Sequence, residues 1–357
     1  MNRRGIVRGL VALAGAVVAG AVAVPLVAAH GPAPDARPDA VNLLLGWQFE
    51  PLVALPLLIS VVAWWRLLAR VDRLHPDHPV SAWQRWAFIA GLVAIAFALL
   101  SGVARYDTTL FSLHMVQHLL LTLVGPPLMA MGAPITQLLR AVSSSTRRQR
   151  ILPILHSRVV LGLTHPIVAW LVFTAVMWGT HFSPLFDLSL EDPAVHDLEH
   201  LAFLAAGLLF WWPLVALDPA PNRMRHPARI AYVFLQMPQN SFLAVAILFA
   251  ENPLYQHYAT LGSPYGILAL DDQRLAAGIM WFFGDVIFLV ATLAVLATWM
   301  SSESRSTDAA DRRTDLERAT LREREEALRK RRADVAPDQA GAGAPDQAGT
   351  GPSISER

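Results

Sequence analysis

Seven apolar runs, each close to the length of a bilayer crossing, constrain this chain more than any other feature. A hydrocarbon core about 30 Å thick is spanned by roughly 20 residues of α-helix. Runs of that kind fall at about 45–68, 83–103, 111–131, 159–180, 198–217, 229–250 and 275–299. Composition supports the same reading, since 54% of the residues are hydrophobic and only 16% are charged, a balance foreign to soluble domains. The expected fold is therefore an all-α, polytopic membrane helical bundle with seven transmembrane helices, residues 45–300, in contact with a lipid bilayer.

The placement of arginine predicts how the bundle is threaded. Connections after the first, third and fifth runs carry Arg66, Arg70, Arg73 and Arg85, then Arg140, Arg147, Arg148, Arg150 and Arg158, then Arg223, Arg225 and Arg229. The alternate connections carry only Arg105 and Arg274, together with acids such as Asp107, Asp187, Glu191, Asp192, Glu251, Asp271 and Asp272. Cytoplasmic loops collect the positive charge, so residues 30–44 are expected outside and the carboxyl terminus inside. The net charge is only +1, which gives no footing for a nucleic-acid partner.

Both termini differ from the middle. Arg3, Arg4 and Arg8 precede an Ala/Val/Gly run ending in "VPLVAAHGPAPDA", the pattern of a secretory signal with Val27 and Ala29 at the small-residue positions. Residues 1–29 are read as a signal peptide or, if uncut, as an additional transmembrane helix of the same polarity. Cleavage after Ala29 would leave His30 with a free amine, a pair able to chelate Cu(II). Residues 301–333 are charged and free of Gly and Pro, which predicts a cytoplasmic helix with support from pairs such as Glu325 with Arg329. Residues 334–357, with their Pro/Gly/Ala repeat, are expected to be disordered.

The chain has no cysteine, so any soft-metal chemistry falls to His and Met. Given the threading, His114, His118, His181, His196, His200 and His257 gather at one membrane face. Residues four apart on a helix share a face, so His114 with His118, and His196 with His200, each present two imidazoles to one point. Two such helices meeting would supply three or four ligands to one ion, and imidazole suits copper, zinc, iron or nickel. Met177 lies four residues before His181 and adds a thioether on that side. His257 reads as an interfacial residue, whereas ionisable groups inside a span are functional by default.

Other features compete for a role. "HDLEH" from His196 to His200 fits H-x-x-E-H, which would make Glu199 the general base of a zinc peptidase. Asp285 lies near mid-membrane in the seventh run and should face the bundle interior, either paired, moving protons or acting as a deep ligand. Pro126, Pro127 and Pro134 are expected to kink the inner end of the third helix, and Trp211 and Trp212 to be architectural.

Three stretches carry a resemblance: "LHMVQHLLLTLVGPPLMAMG" (113–132), "HFSPLFDLSLEDPAVHDLEHLAFLAAGLLFWWPL" (181–214) and "DDQRLAAGIMWFFGD" (271–285). Together they resemble the CtaG-type cytochrome c oxidase assembly factors of Gram-positive bacteria. The resemblance implies a multi-pass plasma-membrane protein that helps mature haem-copper oxidase, with copper as the metal supplied to the oxidase catalytic subunit. It implies an assembly factor rather than an enzyme, and it assigns the family's histidines to His114, His118, His181, His196 and His200. A single-span, cysteine-bearing copper chaperone shares the family's name, but a chain without cysteine cannot be that protein. Two alternatives stay open on the residues alone: a haem-binding electron-transfer protein with axial His from two helices, and the zinc peptidase.

Overall fold

The computed structural model describes residues 35–339, and its regular elements are all helices. The signal-like run, His30 and the tail from 340 onward lie outside the described residues. In a bilayer every backbone polar group must be satisfied within the span, and helices do this internally. Six helices are long and apolar enough to cross, or seven when one bent pair is counted as a single span. They are α1 (Pro51–Leu74), α2 (Ala82–Tyr106), α3 (Phe111–Ala141), the bent pair α4 (Pro166–His181) and α5 (Leu185–Glu191), α6 (Pro193–Val215), α7 (His226–Leu248) and α8 (Ala269–Gln339). The chain is a multi-pass membrane protein.

Helix boundaries depart from the apolar runs where punctuation residues intervene. The first run begins inside a separate short helix, Ala40–Leu45, capped by Asp39, whose Oδ1 accepts from Asn42 N at 2.6 Å. Gly46 ends that turn, and Pro51 opens α1, a position where its missing N–H costs nothing. The fourth run is also divided. His165 precedes Pro166 and adopts extended backbone (φ −66°, ψ 127°), because the proline ring disfavours the helical region for its neighbour. The short helix Arg158–Leu163 is thereby severed from α4. With 16 residues, α4 is about 24 Å long, and after Phe182–Pro184 the chain turns by 69° into α5.

α3 holds the least regular backbone. Its first part is α-helical to Leu119, a π-helical turn follows over Leu120–Val124, and Pro126 and Pro127 then lie in the helical segment Gly125–Met131. The break expected from the proline pair is this π turn. Neither proline can donate to the carbonyl of Thr122, from position i+4 or from i+5. That carbonyl instead accepts from the indole Nε1 of Trp211 on α6 at 2.9 Å. Gly207, one turn earlier on α6, makes the approach possible: a Cβ there would lie 2.8 Å from Pro126 Cγ and 2.9 Å from Thr122 O. Ala133, with φ 52°, ends the segment, and Pro134 starts a last short helix to Ala141.

The membrane unit extends to Leu296. Its largest core cluster joins α3, α4, α5, α6, α7 and α8 through Phe111, Met115, Phe173, Phe186, Phe203, Phe210, Leu243 and Met280. A smaller cluster seats α1 on α2 through Trp64, Leu68 and Phe88, with the Trp64 and Phe88 rings stacked at 4.2 Å. The part of α8 from Ala297 onward belongs to a second unit. Residues 311–331 there are exposed, with an ion pair between Asp315 and Arg318 at 3.7 Å, and helical backbone continues to Gln339.

Candidate metal centre

α3, the end of α4, α5 and the start of α6 bring five imidazoles together in the core. His114 and His118 lie in the first turns of α3 with ring centroids 4.1 Å apart, and His196 and His200 lie in the first turns of α6 at 4.2 Å. The two pairs face each other, His114 to His196 at 5.5 Å and His118 to His200 at 6.2 Å. His181, at the end of α4, has its ring 6.2 Å from that of His118. All five are buried, His114 fully and His200 the most exposed at 6%. They sit against Phe186, 5.0 Å from His114, and Phe203, which stacks on His118 at 3.9 Å.

Two buried carboxylates enter among these rings. Glu199 Oε2 lies 3.8 Å from His114 Nε2 and 3.9 Å from His118 Nε2, and Asp107 Oδ2 lies 3.4 Å from His196 Nε2. The donor atoms fall into two sets of three, each within 4.8 Å of one another: His114, His118 and Glu199, and Asp107, His196 and His200. These separations lie at or beyond the limit of a hydrogen bond. They lie near the edge of a metal polyhedron, because ligands about 2.0–2.1 Å from a tetrahedral ion are about 3.4 Å apart. Among the described residues no Lys or Arg pairs with Glu199. A buried carboxylate is costly unless it meets a proton, a cation or a metal.

The rings are held from behind, as metal ligands usually are. His181 Nδ1 bonds the carbonyl of Met177 at 2.7 Å, His196 Nδ1 that of Ser189 at 3.1 Å, and His200 Nε2 the Oε1 of Gln117 at 2.9 Å. Gln117 donates its Nε2 to Ala98 O at 3.1 Å, which fixes its oxygen toward His200. These contacts make Nε2 of His181, Nε2 of His196 and Nδ1 of His200 the ring atoms that could hold a metal. At the bundle end the loop after α7 braces the site: Tyr258 OH donates to Asp107 O at 2.6 Å, and His257 Nε2 meets Thr108 O at 2.9 Å. Burial raises the pKa of the Tyr258 phenol well above its ordinary value, so it stays a donor.

Other residues singled out in the sequence have different places. Met177 contributes its carbonyl, while its side chain packs in the apolar core with Phe173 and Leu123. Asp285 belongs to neither set; its oxygens accept from Asn240 Nδ2 at 3.1 Å and Ser241 Oγ at 2.7 Å. Two residues escaped the sequence reading. Asp107 was sorted only as a loop acid, and no periodicity ties it to α6. Gln117 had a signal, as the one polar residue between His114 and His118 in an otherwise apolar run.

Fold and site together define a polytopic helical membrane protein with a buried imidazole and carboxylate cluster at one end of its bundle. Residues 58–302 match the family described as cytochrome c oxidase caa3 assembly factor (Caa3_CtaG), and the chain belongs to that family. It is also similar to an uncharacterized protein of Mycobacterium bovis, 29% identical over 285 residues, which covers 78% of this chain and 43% of that protein. An uncharacterized protein of Mycobacterium tuberculosis gives the same figures, and one of Mycobacterium leprae is 28% identical over 286 residues with the same coverage. The chain spans less than half the length of these relatives. No solved structure matches it.

Proposed function

We propose that the protein binds copper as cargo in the His114/His118/His181/His196/His200 pocket and supplies it to the catalytic subunit of a haem-copper oxidase. The single observation that carries this reading is the convergence of donor atoms from remote parts of the chain, Asp107, α3 and α6, in two buried sets, with the His181 ring of α4 6.2 Å from that of His118. The family supplies the link to oxidase assembly. The donors suit copper: neutral imidazoles and carboxylate oxygens are ligands for Cu(II), and exchange one ligand at a time would release the ion to an acceptor. The arginine distribution supports a threading with the pocket toward the outer face and the carboxyl terminus in the cytoplasm of a plasma-membrane protein. Delivery from that depth would keep the ion out of bulk water.

The geometry favours an ion over a haem. Axial ligands approach a macrocycle from opposite faces, whereas these rings converge edge-on with carboxylates between them. It also weakens the peptidase reading, because Glu199 leans onto the α3 histidines and not toward a position free to activate water beside His196 and His200. The test is copper analysis of the detergent-solubilised protein and oxidase activity of membranes, for the native chain and for His114→Ala with His118→Ala. Reduced bound copper together with loss of oxidase activity is the expected result. Retained oxidase activity in a variant that has lost copper would refute the assignment.

A further inference from the structure

We propose that the pocket holds two metal ions side by side, in adjoining three-ligand positions: one formed by His114, His118 and Glu199, the other by Asp107, His196 and His200. This rests on the reading that the pocket binds metal at all. The division comes from the donor atoms themselves, which gather into these two sets of three, each within 4.8 Å. Each set has the same composition, an i,i+4 histidine pair from one helix and a single carboxylate from elsewhere in the chain. The carboxylates are exchanged between the helices. Glu199 lies between His196 and His200 in sequence, yet its Oε2 approaches His114 and His118 on α3 at 3.8 and 3.9 Å. The α6 pair receives Asp107, from the connection that leads into α3, at 3.4 Å.

Charge and ligand chemistry name the class of ion. One carboxylate per position offsets one charge of a dication, and two dications with no counter-charge would repel strongly in so buried a space. Each set is built of imidazole nitrogens and one carboxylate oxygen. Imidazole with carboxylate oxygen suits divalent ions of borderline hardness, Cu(II), Zn(II) or Co(II), better than Cu(I). His181 lies beside the first position. Its Nδ1 is tied to Met177 O, its ring lies 6.2 Å from that of His118, and its Nε2 is buried with no hydrogen-bond partner among the described residues.

The experiment uses the full chain in detergent, stripped with a chelator, loaded under air with excess Cu(II) chloride and desalted. Copper per protein is measured by mass spectrometry and spin coupling by electron paramagnetic resonance. The native protein is expected to retain two copper ions with a dipole-coupled spectrum. Asp107→Asn and Glu199→Gln are each expected to retain one, with the spectrum of an isolated ion. One copper in the native protein, with an isolated-ion spectrum, would overturn the two-ion proposal and leave the single-ion reading standing. No copper at all would overturn the metal-pocket reading itself. Should either variant fail to fold by gel filtration, the count and coupling in the native protein still decide.

Discussion

The side chains behind the pocket matter as much as those lining it. Gln117 is locked by Ala98 and in turn holds Nε2 of His200, so Gln117→Leu removes the orientation without touching a ligand. Copper affinity of that variant, measured by competition with a chelator of known strength, is expected to fall about 10–100-fold. Trp211 acts on the backbone. Trp211→Phe leaves the Thr122 carbonyl buried with no donor from Pro126 or Pro127, at a cost of about 1–3 kcal/mol. Thermal unfolding in detergent should show that loss while copper binding is kept in the folded protein. At this scale the histidines were legible because i,i+4 spacing fixes a shared helix face whatever the tertiary fold. Asp107 was not, since its approach to His196 depends on how a short connection folds, and no pattern along the chain encodes that.

The helices were legible as apolar runs, and their ends were not. Pro166 divided a run that hydropathy reads as continuous, and the π turn before Pro126 let α3 continue past a proline pair to Ala141. α3 is capped at both of its starts by acids remote in sequence. Leu110 offers no cap, and Asp272 on α8 instead accepts from Ser112 N at 3.3 Å. Asp218 accepts from Thr136 N and Oγ1, each at 2.7 Å, where the helix restarts at Pro134. Asp272→Ala is expected to cost about 1 kcal/mol, read as a lowered unfolding midpoint. Burial, the largest influence on Asp218, raises its pKa against the pull of its Thr136 and Ile135 donors. A carboxyl with a raised folded-state pKa holds its proton more tightly when folded. Its contribution is therefore full below the unfolded value, about 3.9, and is lost as pH rises through the folded value. Relative to Asp218→Asn, the native protein should lose stability as pH rises from below about 3.9 through the raised folded-state value.

For the whole molecule, the family and the multi-pass architecture could be read from composition and the three resembling stretches, and the helices of the bundle place the histidine end opposite the arginine-bearing connections. The sidedness follows from arginine alone and has a direct check, because the chain has no cysteine. Single cysteines at Ser143 and Ser183 should be labelled by an impermeant maleimide from opposite sides of the membrane, Ser183→Cys from outside. The central claim is that imidazoles distant in the chain bind one buried metal centre. X-ray absorption at the copper edge of the loaded, detergent-solubilised protein tests it most directly. The account predicts multiple scattering from several imidazoles with an oxygen contribution, reduced in the His114→Ala, His118→Ala variant. A spectrum without imidazole scattering, or one unchanged by that double substitution, would contradict it.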